Sequence, residues 1–313
     1  MASFEHEDWH PLYADKDDKD RVRLIGVEFE GAIKKREDIP EELQFVTEEY
    51  MNENNIGEEE YYDEDEDEWH YEGPSRADYM YDELEKLGYE IGGVGYDGGG
   101  KEIVSLPDSY TFTERGGSER FKKVVDLMSK ISKADAQSGT HIHVSKLDSD
   151  VKTTWQNLYW FCMVFGPQLQ KIFGRITHWA RTPLPPDHFV SNNDCRIKIF
   201  EAPKTQPEPR GVYGKGSIVV DRNNRYEFRG AKASHDLEEI NAWIELCNNI
   251  VEVCARGYIQ NIPFADVIRT KQIRAYVNKI GKNNPERKIT PAERAMRISE
   301  VGYVQISERD KLL

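Results

Sequence analysis

The chain has 313 residues, of which 57 are acidic and 42 basic, and its formal net charge is −15. This length suffices for one large domain or two ordinary ones with a sizeable core. No apolar run approaches the ~20 residues of a membrane helix, and the first residues lack the pattern of a secretory signal. The four cysteines include no C-x-x-C spacing. We therefore expect a cytoplasmic protein without a disulfide scaffold, a structural zinc site or a membrane partner.

The negative charge is concentrated in one segment. Residues 37–90 contain 22 acidic and 2 basic side chains, whereas the rest of the chain has a net charge of +5. Residues 58–68 include nine acids. Such a run repels itself and buries little apolar area, so the sequence predicts a solvated, partly disordered insert. Two partners would suit this insert, a basic protein or the chain's own basic C-terminal region; we expect no nucleic-acid partner.

Periodicity and turn residues predict an irregular alternation of strands and helices. This alternation favours an α+β fold with an antiparallel sheet over a βα barrel. We divide the chain into a flexible tail (1–20), a catalytic domain (21–257) that contains the acidic insert 37–90, and a helical extension (258–313). In chain order the predicted elements are a strand at 21–31, a helix at 78–88, a flexible glycine-rich loop at 92–100, a strand at 101–106, a helix at 118–133, a strand at 140–145, an aromatic helix at 153–173 interrupted near Gly166-Pro167, a strand at 226–229 and a helix at 235–257.

Three of the predicted strands share one pattern, in which two charged or imidazole side chains flank an apolar one. Because side chains alternate between the two faces of a strand, each polar pair lies on one face. A half-exposed strand also alternates, so any single pair is weak evidence. Finding only Glu, His and Arg on four glycine-bounded strands favours a functional face. The residues are Glu28 and Glu30 around Phe29, His141 and His143 around Ile142, Glu227 and Arg229 around Phe228, and Glu102 beside Ile103 on the fourth strand.

The residue types on this face predict a divalent metal site. Carboxylates with an imidazole suit Mg²⁺ or Mn²⁺, because hard cations prefer oxygen ligands. Carboxylates on one face also repel one another and need a cation to neutralise them. Divalent ions beside an arginine form a clamp for a polyphosphate, which indicates phosphoryl transfer.

The order of four short motifs resembles that of the amidoligase family, carboxylate–amine ligases of the glutamine synthetase and glutamate–cysteine ligase superfamily, several of which are encoded by bacteriophages. The resemblance covers residues 21–255 apart from the acidic insert. It implies a glutamine-synthetase-like curved antiparallel sheet whose concave face binds Mg·ATP, with helices packed on its outer face. The motifs are Gly26-Val-Glu-Phe-Glu30, Tyr96-Asp-Gly-Gly-Gly-Lys-Glu-Ile-Val-Ser105, Gly139-Thr-His-Ile-His-Val-Ser145 and Tyr226-Glu-Phe-Arg-Gly230.

The resemblance also implies a role for each matching residue. Glu30 and Arg229 are assigned as catalytic, and Arg229 would steady the γ-phosphate as it leaves ATP. Nucleotide contacts fall to Arg229, to Gly99 and Lys101 around the glycine-rich segment, and to a basic residue from the region between the last two motifs. The metal ligands would be Glu28, Glu30, Glu102, Glu227 and either or both of His141 and His143, with a slight preference for His143; Asp97 holds the usual acidic position of the loop, and Arg175, Arg181 and Arg196 are the basic candidates.

The function that the resemblance implies is an ATP-dependent ligase that forms an amide through an acyl phosphate. The substrates would be a small-molecule or peptide carboxylate and an amine, and the location would be a host cytoplasm if a phage encodes the chain. Two alternatives stay open. One is a non-catalytic interaction protein on a ligase scaffold, whose acidic insert binds a basic partner. The other is a metal-dependent hydrolase that uses His-x-His, which fits the excess of carboxylates less well.

Overall fold

The computed structural model describes residues 23–57, 59–63, 68–72, 75–97, 100–109, 119–134, 138–146, 154–155, 157–158, 161–162, 165–175, 219–221 and 225–256. The predicted N-terminal tail and C-terminal extension lie outside these residues, and the division into domains stays a prediction. None of the helices in the described part of the chain combines the length and the apolar character needed to cross a membrane.

We number ten strands and five α-helices among the described residues. The strands are β1 (Leu24–Ile33), β2 (Glu59–Asp63), β3 (Glu68–Glu72), β4 (Ile91–Asp97), β5 (Gly100–Ser105), β6 (Asp108–Ser109), β7 (Ser132–Lys133), β8 (Gly139–Ser145), β9 (Val219–Asp221) and β10 (Arg225–Lys232). The helices are α1 (Glu48–Glu53), α2 (Arg76–Lys86), α3 (Glu119–Ile131), α4 (Gly166–Phe173) and α5 (Leu237–Arg256), with 3₁₀ turns at Arg36–Asp38 and Glu41–Val46.

The main sheet is antiparallel and has the strand order β4-β5-β1-β8-β10-β9. Two short strands, β6 and β7, also pair with β1, and β2 and β3 form a separate two-stranded sheet. The expected mixture of helices with an antiparallel sheet is therefore confirmed. The three strands predicted to carry polar pairs, β1, β8 and β10, and the strand of Glu102, β5, are neighbours in this sheet.

One face of the central strands is apolar and faces the helices. Val27 and Phe29 on β1 are buried, as are Ile142 on β8 and Phe228 on β10. The ring of Phe29 lies 6.0 Å from that of Phe121 on α3. Burial of these side chains supplies the main driving force for packing the helices on this face. The polar residues between them are thereby left on the opposite face.

The chain reaches the polar face after α4 through a left-handed turn. Pro167 stands in the first turn of α4, and Gly174 ends the helix with φ 76°, a conformation that glycine adopts without steric cost. Gly174 then forms a bridge with Ala231 of β10, and Arg175 N–H donates to the Gly230 carbonyl. Arg175 is thus fixed against the sheet rather than on a free loop.

The acidic segment is more ordered than the sequence predicts. Glu59–Asp63 pairs with Glu68–Glu72 in a hairpin, so the expected disorder is not found for these strands. On either side of the hairpin the segment contributes buried apolar side chains to the same core as the sheet. The acids between them do not prevent this, because helical periodicity separates an apolar from a charged face. The buried residues are Ile39, Leu43, Phe45, Val46, Met51, Met80 and Leu84.

The glycine-rich segment is largely a strand and not the expected flexible loop. Residues Ile91–Asp97 form β4, which pairs with β5. A Cβ at Gly95 would lie 3.0 Å from the Cβ of Glu102, tighter than ordinary contact. Glycine at this position therefore allows β4 to pack closely beside Glu102. The sequence pattern does not distinguish this role from that of a flexible loop.

Candidate metal centre

The strand register brings the predicted polar residues to one face. Glu28 lies opposite His141, and Glu30 lies opposite Glu102. His143 lies opposite Glu227. Each pair is formed by directly opposed residues of neighbouring strands, whose side chains project to the same side.

The carboxylate of Glu28 lies between two imidazoles. Its Oε2 is 2.8 Å from His141 Nδ1, and its Oε1 is 2.7 Å from His143 Nε2. All three residues are buried. Each oxygen of this carboxylate therefore lies beside a ring nitrogen, and Oε2 is hydrogen-bonded to its ring.

A second carboxylate completes a group that has the donors of a metal site. Glu227 Oε1 lies 3.5 Å from His141 Nδ1. One oxygen from Glu28, one nitrogen from His141 and one oxygen from Glu227 all lie within 4.8 Å of one another. This two-carboxylate and imidazole donor set suits Mg²⁺ or Mn²⁺.

Arg175 enters the same face from the end of α4. Its Nη2 donates to Glu30 Oε2 at 2.6 Å, and its Nη1 lies 2.9 Å from His141 Nε2. A Cβ built on Gly139 would overlap the guanidinium of Arg175. Glycine at the start of β8 is thus a steric requirement for the position of this arginine.

Two arginines of β10 accompany the carboxylates. Arg229 Nη1 donates to Glu227 Oε1 at 2.9 Å, and Arg225 Nε donates to His143 Nδ1 at 2.6 Å. Arg225 is not among the site residues predicted from the sequence. The signal was present, because Arg225, Glu227 and Arg229 alternate along one strand and so share a face.

Burial and charge pairing act in opposite directions on the pKa values of three carboxyl groups in the cluster. Burial would raise the pKa of Glu28, but the two imidazoles hold it well below its ordinary value. Burial also acts against the ionised form of Glu30, yet His141, Arg175 and Arg229 lower its pKa to about 2. The pKa of Glu227 is lowered as well, because Arg229 and the two imidazoles outweigh burial and the neighbouring Glu28 charge. These three side chains are therefore carboxylates at neutral pH.

His141 is held as an imidazolium. Burial would lower the pKa of His141, but its bonds to Glu28 and Glu30 raise that pKa to about 9. Nε2 lies 3.2 Å from Glu30 Oε1. A ring protonated at both nitrogens accepts no bond from Arg175, so we assign the arginine's hydrogen bond to Glu30.

Glu102 experiences a repulsion that a bound cation would relieve. Burial, followed by the charge of Glu28, raises the pKa of Glu102 to about 8. Glu30 and Glu227 act in the same direction. A divalent ion on this face would neutralise that repulsion and displace the proton.

Several candidate residues cannot be placed in the site. Gly99, Arg181 and Arg196 lie outside the described residues, and nothing is described of the Asp97 and Lys101 side chains. Of the three arginines proposed between the last two motifs, Arg175 lies among the described residues, and the structure brings it to the cluster.

The comparisons with known proteins give a distant structural likeness. No protein-family model matches the sequence, and no curated protein matches it. The chain is similar to the crystal structure of the complex between the prokaryotic ubiquitin-like protein Pup and its ligase PafA, with 11% identity and a TM-score of 0.37. The match covers 92% of this chain and 64% of that chain, so this chain spans less than two thirds of its length.

Proposed function

We propose that this protein is an ATP-dependent carboxylate–amine ligase that works with Mg²⁺ or Mn²⁺. The observation that supports it is the convergence on one sheet face of buried carboxylates, an imidazole and arginines. Their separate charges are costly to bury, so a fold that gathers them needs a compensating role for them. The four-motif resemblance supplies the reaction class.

Glu28, His141 and Glu227 would hold one metal ion. Glu30 and Glu102, opposed across β1 and β5, would supply further carboxylate oxygens. When bound, the metal would neutralise the negative charge of the ATP phosphates. We favour His141 over His143 as the imidazole ligand, because it is His141 Nδ1 that lies beside the oxygens of both Glu28 and Glu227.

The arginines would act on the phosphates. Arg229 is mostly buried and lies on the carboxylate face, where its charge would stabilise the phosphoryl group in transfer. Arg175 approaches the cluster from the α4 side and would hold the nucleotide by a second cationic contact. Glu30 would fix Arg175 through their 2.6 Å hydrogen bond.

The proposed reaction has two steps. A substrate carboxylate oxygen attacks the γ-phosphorus of ATP, and the bond to the β-γ bridging oxygen breaks to release ADP. The amine nitrogen then attacks the acyl carbon, inorganic phosphate leaves, and the nitrogen loses a proton. The acyl phosphate is needed because a free carboxylate is a poor electrophile.

The alternative is an interaction protein whose acidic hairpin binds a basic partner. What favours it is that β2 and β3 form a sheet of their own. The set of Glu28, Glu30, Glu102, Glu227, His141 and Arg229 favours the ligase, because a scaffold has no need to keep these charges. Cytoplasmic location and phage origin stay predictions.

Hydroxylamine trapping tests the proposal without knowledge of the natural amine. Purified protein is incubated with ATP, Mg²⁺, hydroxylamine and pools of carboxylates, and ADP and hydroxamate are measured together. We expect both to form in equal amounts and to be lost in Glu30→Gln and Arg229→Ala. Glu49→Gln, an exposed acid on α1, serves as the control that retains them. ATP-independent cleavage would favour a hydrolase, and a folded protein that neither binds nor turns over ATP would favour the scaffold.

A further inference from the structure

We propose that Arg225 is a positioning residue, which acts through His143 on Glu28, and that His143 supports the metal centre without ligating it. This inference deepens the proposed function, since it concerns the same metal centre. The sequence predicts either or both of His141 and His143 as ligands, with a slight preference for His143, and gives Arg225 no role.

The first step is the bond between Arg225 and His143. Arg225 begins β10 opposite Ser145, and its Nε lies 2.6 Å from His143 Nδ1. Both side chains are buried, with 8% and 2% of their surface exposed. An arginine is protonated at every accessible pH and only donates, so His143 Nδ1 must accept.

The second step fixes the tautomer of His143. With its lone pair on Nδ1 turned to Arg225, the ring carries its proton on Nε2. That nitrogen lies 2.7 Å from Glu28 Oε1, within charge-pairing distance. Nδ1 is thus committed to Arg225, and Nε2 carries the proton beside Glu28, so neither nitrogen offers a lone pair to a metal.

The consequence is a division of work between the two histidines. His143 Nε2 lies beside Glu28 Oε1, which leaves Oε2 directed to His141 Nδ1 at 2.8 Å, within the proposed ligand group. A carboxylate ligand oriented by a neighbouring fixed imidazole binds metal better, because its orientation is set before the ion arrives. Arg225 fixes the tautomer and orientation of the His143 ring.

Mn²⁺ titration of the full-length chain tests this inference. Arg225→Met removes the donor at similar length, and we expect Mn²⁺ affinity to fall about 10–100-fold. His143→Gln keeps an amide N–H near the position of Nε2, and we expect its affinity to stay within about 5-fold of wild type, whereas His141→Gln should lose binding. In the His143→Gln background, Arg225→Met should cost less than about 3-fold, because coupled residues are not additive.

Nitrogen-15 NMR of the histidine rings in metal-free protein gives a readout independent of binding and activity. We expect an unprotonated Nδ1 and a protonated Nε2 for His143, kept in Arg225→Gln and lost in Arg225→Met. Circular dichroism checks that each variant folds. If Arg225→Met does not fold, the wild-type tautomer and the comparison of His143→Gln with His141→Gln still test the inference.

Three results would overturn the inference. They are a protonated Nδ1 on His143, a loss of Mn²⁺ affinity in His143→Gln as large as in His141→Gln, or additive losses in the double variant. If wild-type protein binds no metal, the proposed function fails, and the NMR tautomer still decides whether Arg225 holds His143.

Discussion

Glu102 is the residue whose charge the cluster compensates least. Its pKa is raised to about 8 by burial and by three neighbouring carboxylates, so in metal-free protein it is protonated at neutral pH. A bound cation would reverse this preference. Glu102 should therefore respond to metal more than any other acid on the face.

The substitution Glu102→Gln tests whether the charge of Glu102 responds to metal. Glutamine resembles the protonated acid, so we expect the metal-free variant to be more stable than wild type at pH 8–9. It should also gain less stability from Mg²⁺ or Mn²⁺, because a ligand oxygen has lost its charge. Thermal unfolding with and without metal measures both effects, and Glu49→Gln is the control. A variant that is less stable without metal would contradict the assignment.

The pH dependence of metal-free stability follows from the same groups. Glu28, Glu30 and Glu227 have lowered pKa values, so their stabilisation is lost as pH falls below about 5. The raised pKa of Glu102 destabilises the fold as pH rises from 4.5 to about 8. The raised pKa of His141 removes its stabilisation as pH rises through about 9.

We therefore expect the Tm of metal-free protein to peak near pH 5–6 and to fall by a few degrees by pH 9. With Mn²⁺ the fall should shrink or reverse, because binding requires Glu102 and His141 to lose protons. Melting curves from pH 5 to 9, with EDTA or with Mn²⁺, check this. Parallel curves under the two conditions would exclude a metal at these residues.

At the scale of the single residue, sequence alternation predicts which side chains share a face but not their contacts. His141 and His143 are equivalent by alternation, and their difference arises from Arg225 on a strand 82 positions away. Distances across strands depend on register, which no local pattern sets.

At the scale of the element, the strands carrying the polar pairs were predictable because each has a strict period of two and is bounded by glycine. The segment 91–97 was not, since glycines that permit close strand packing look the same in sequence as glycines of a loop. The left-handed Gly174 and its bridge to Ala231 were also beyond reach, because they depend on tertiary packing.

Gly139→Ala tests the packing of β8 against the end of α4. A Cβ at this position would overlap Arg175, so we expect the arginine to leave Glu30 and nucleotide affinity to fall about 10-fold or more. In an Arg175→Ala background the same substitution should have little further effect, because the obstacle is gone. Calorimetric titration with an ATP analogue measures nucleotide affinity in wild type, Gly139→Ala, Arg175→Ala and the double variant. Equal losses in both backgrounds would show that Gly139 acts through the backbone instead.

At the scale of the whole molecule, the acidic segment is joined to the core on both sides of its hairpin. Arg76 Nε donates to the Ile56 carbonyl at 3.1 Å, and Arg76 Nη2 donates to Asn52 Oδ1 at 2.7 Å. These bonds tie α2 to the end of α1 across the base of the hairpin. Charge composition predicted the solvation of the central run but could not reveal the buried residues interspersed among the acids on either side.

Two deletions distinguish the contribution of the hairpin from that of the buried segment that precedes it. Replacing residues 59–72 by a short Gly-Ser linker should leave Tm nearly unchanged and preserve Mn²⁺ binding. Deleting 47–72 also removes Met51, which is fully buried, and should lower stability by about 2–5 kcal/mol. Denaturant unfolding and Mn²⁺ titration of both proteins provide the comparison. Loss of metal binding in the shorter deletion would make the hairpin part of the site.

The most direct test of the central claim is thermal unfolding with Mg²⁺ and a non-hydrolysable ATP analogue, in wild type and Glu227→Gln. Ligand at ~100-fold over its Kd adds about 2.7 kcal/mol, and we predict a rise in Tm of a few degrees that requires both metal and nucleotide. The rise should vanish in Glu227→Gln and persist in Glu49→Gln. A folded wild-type protein whose Tm does not change with Mg²⁺ or Mn²⁺ and nucleotide would contradict a metal–nucleotide site on this face.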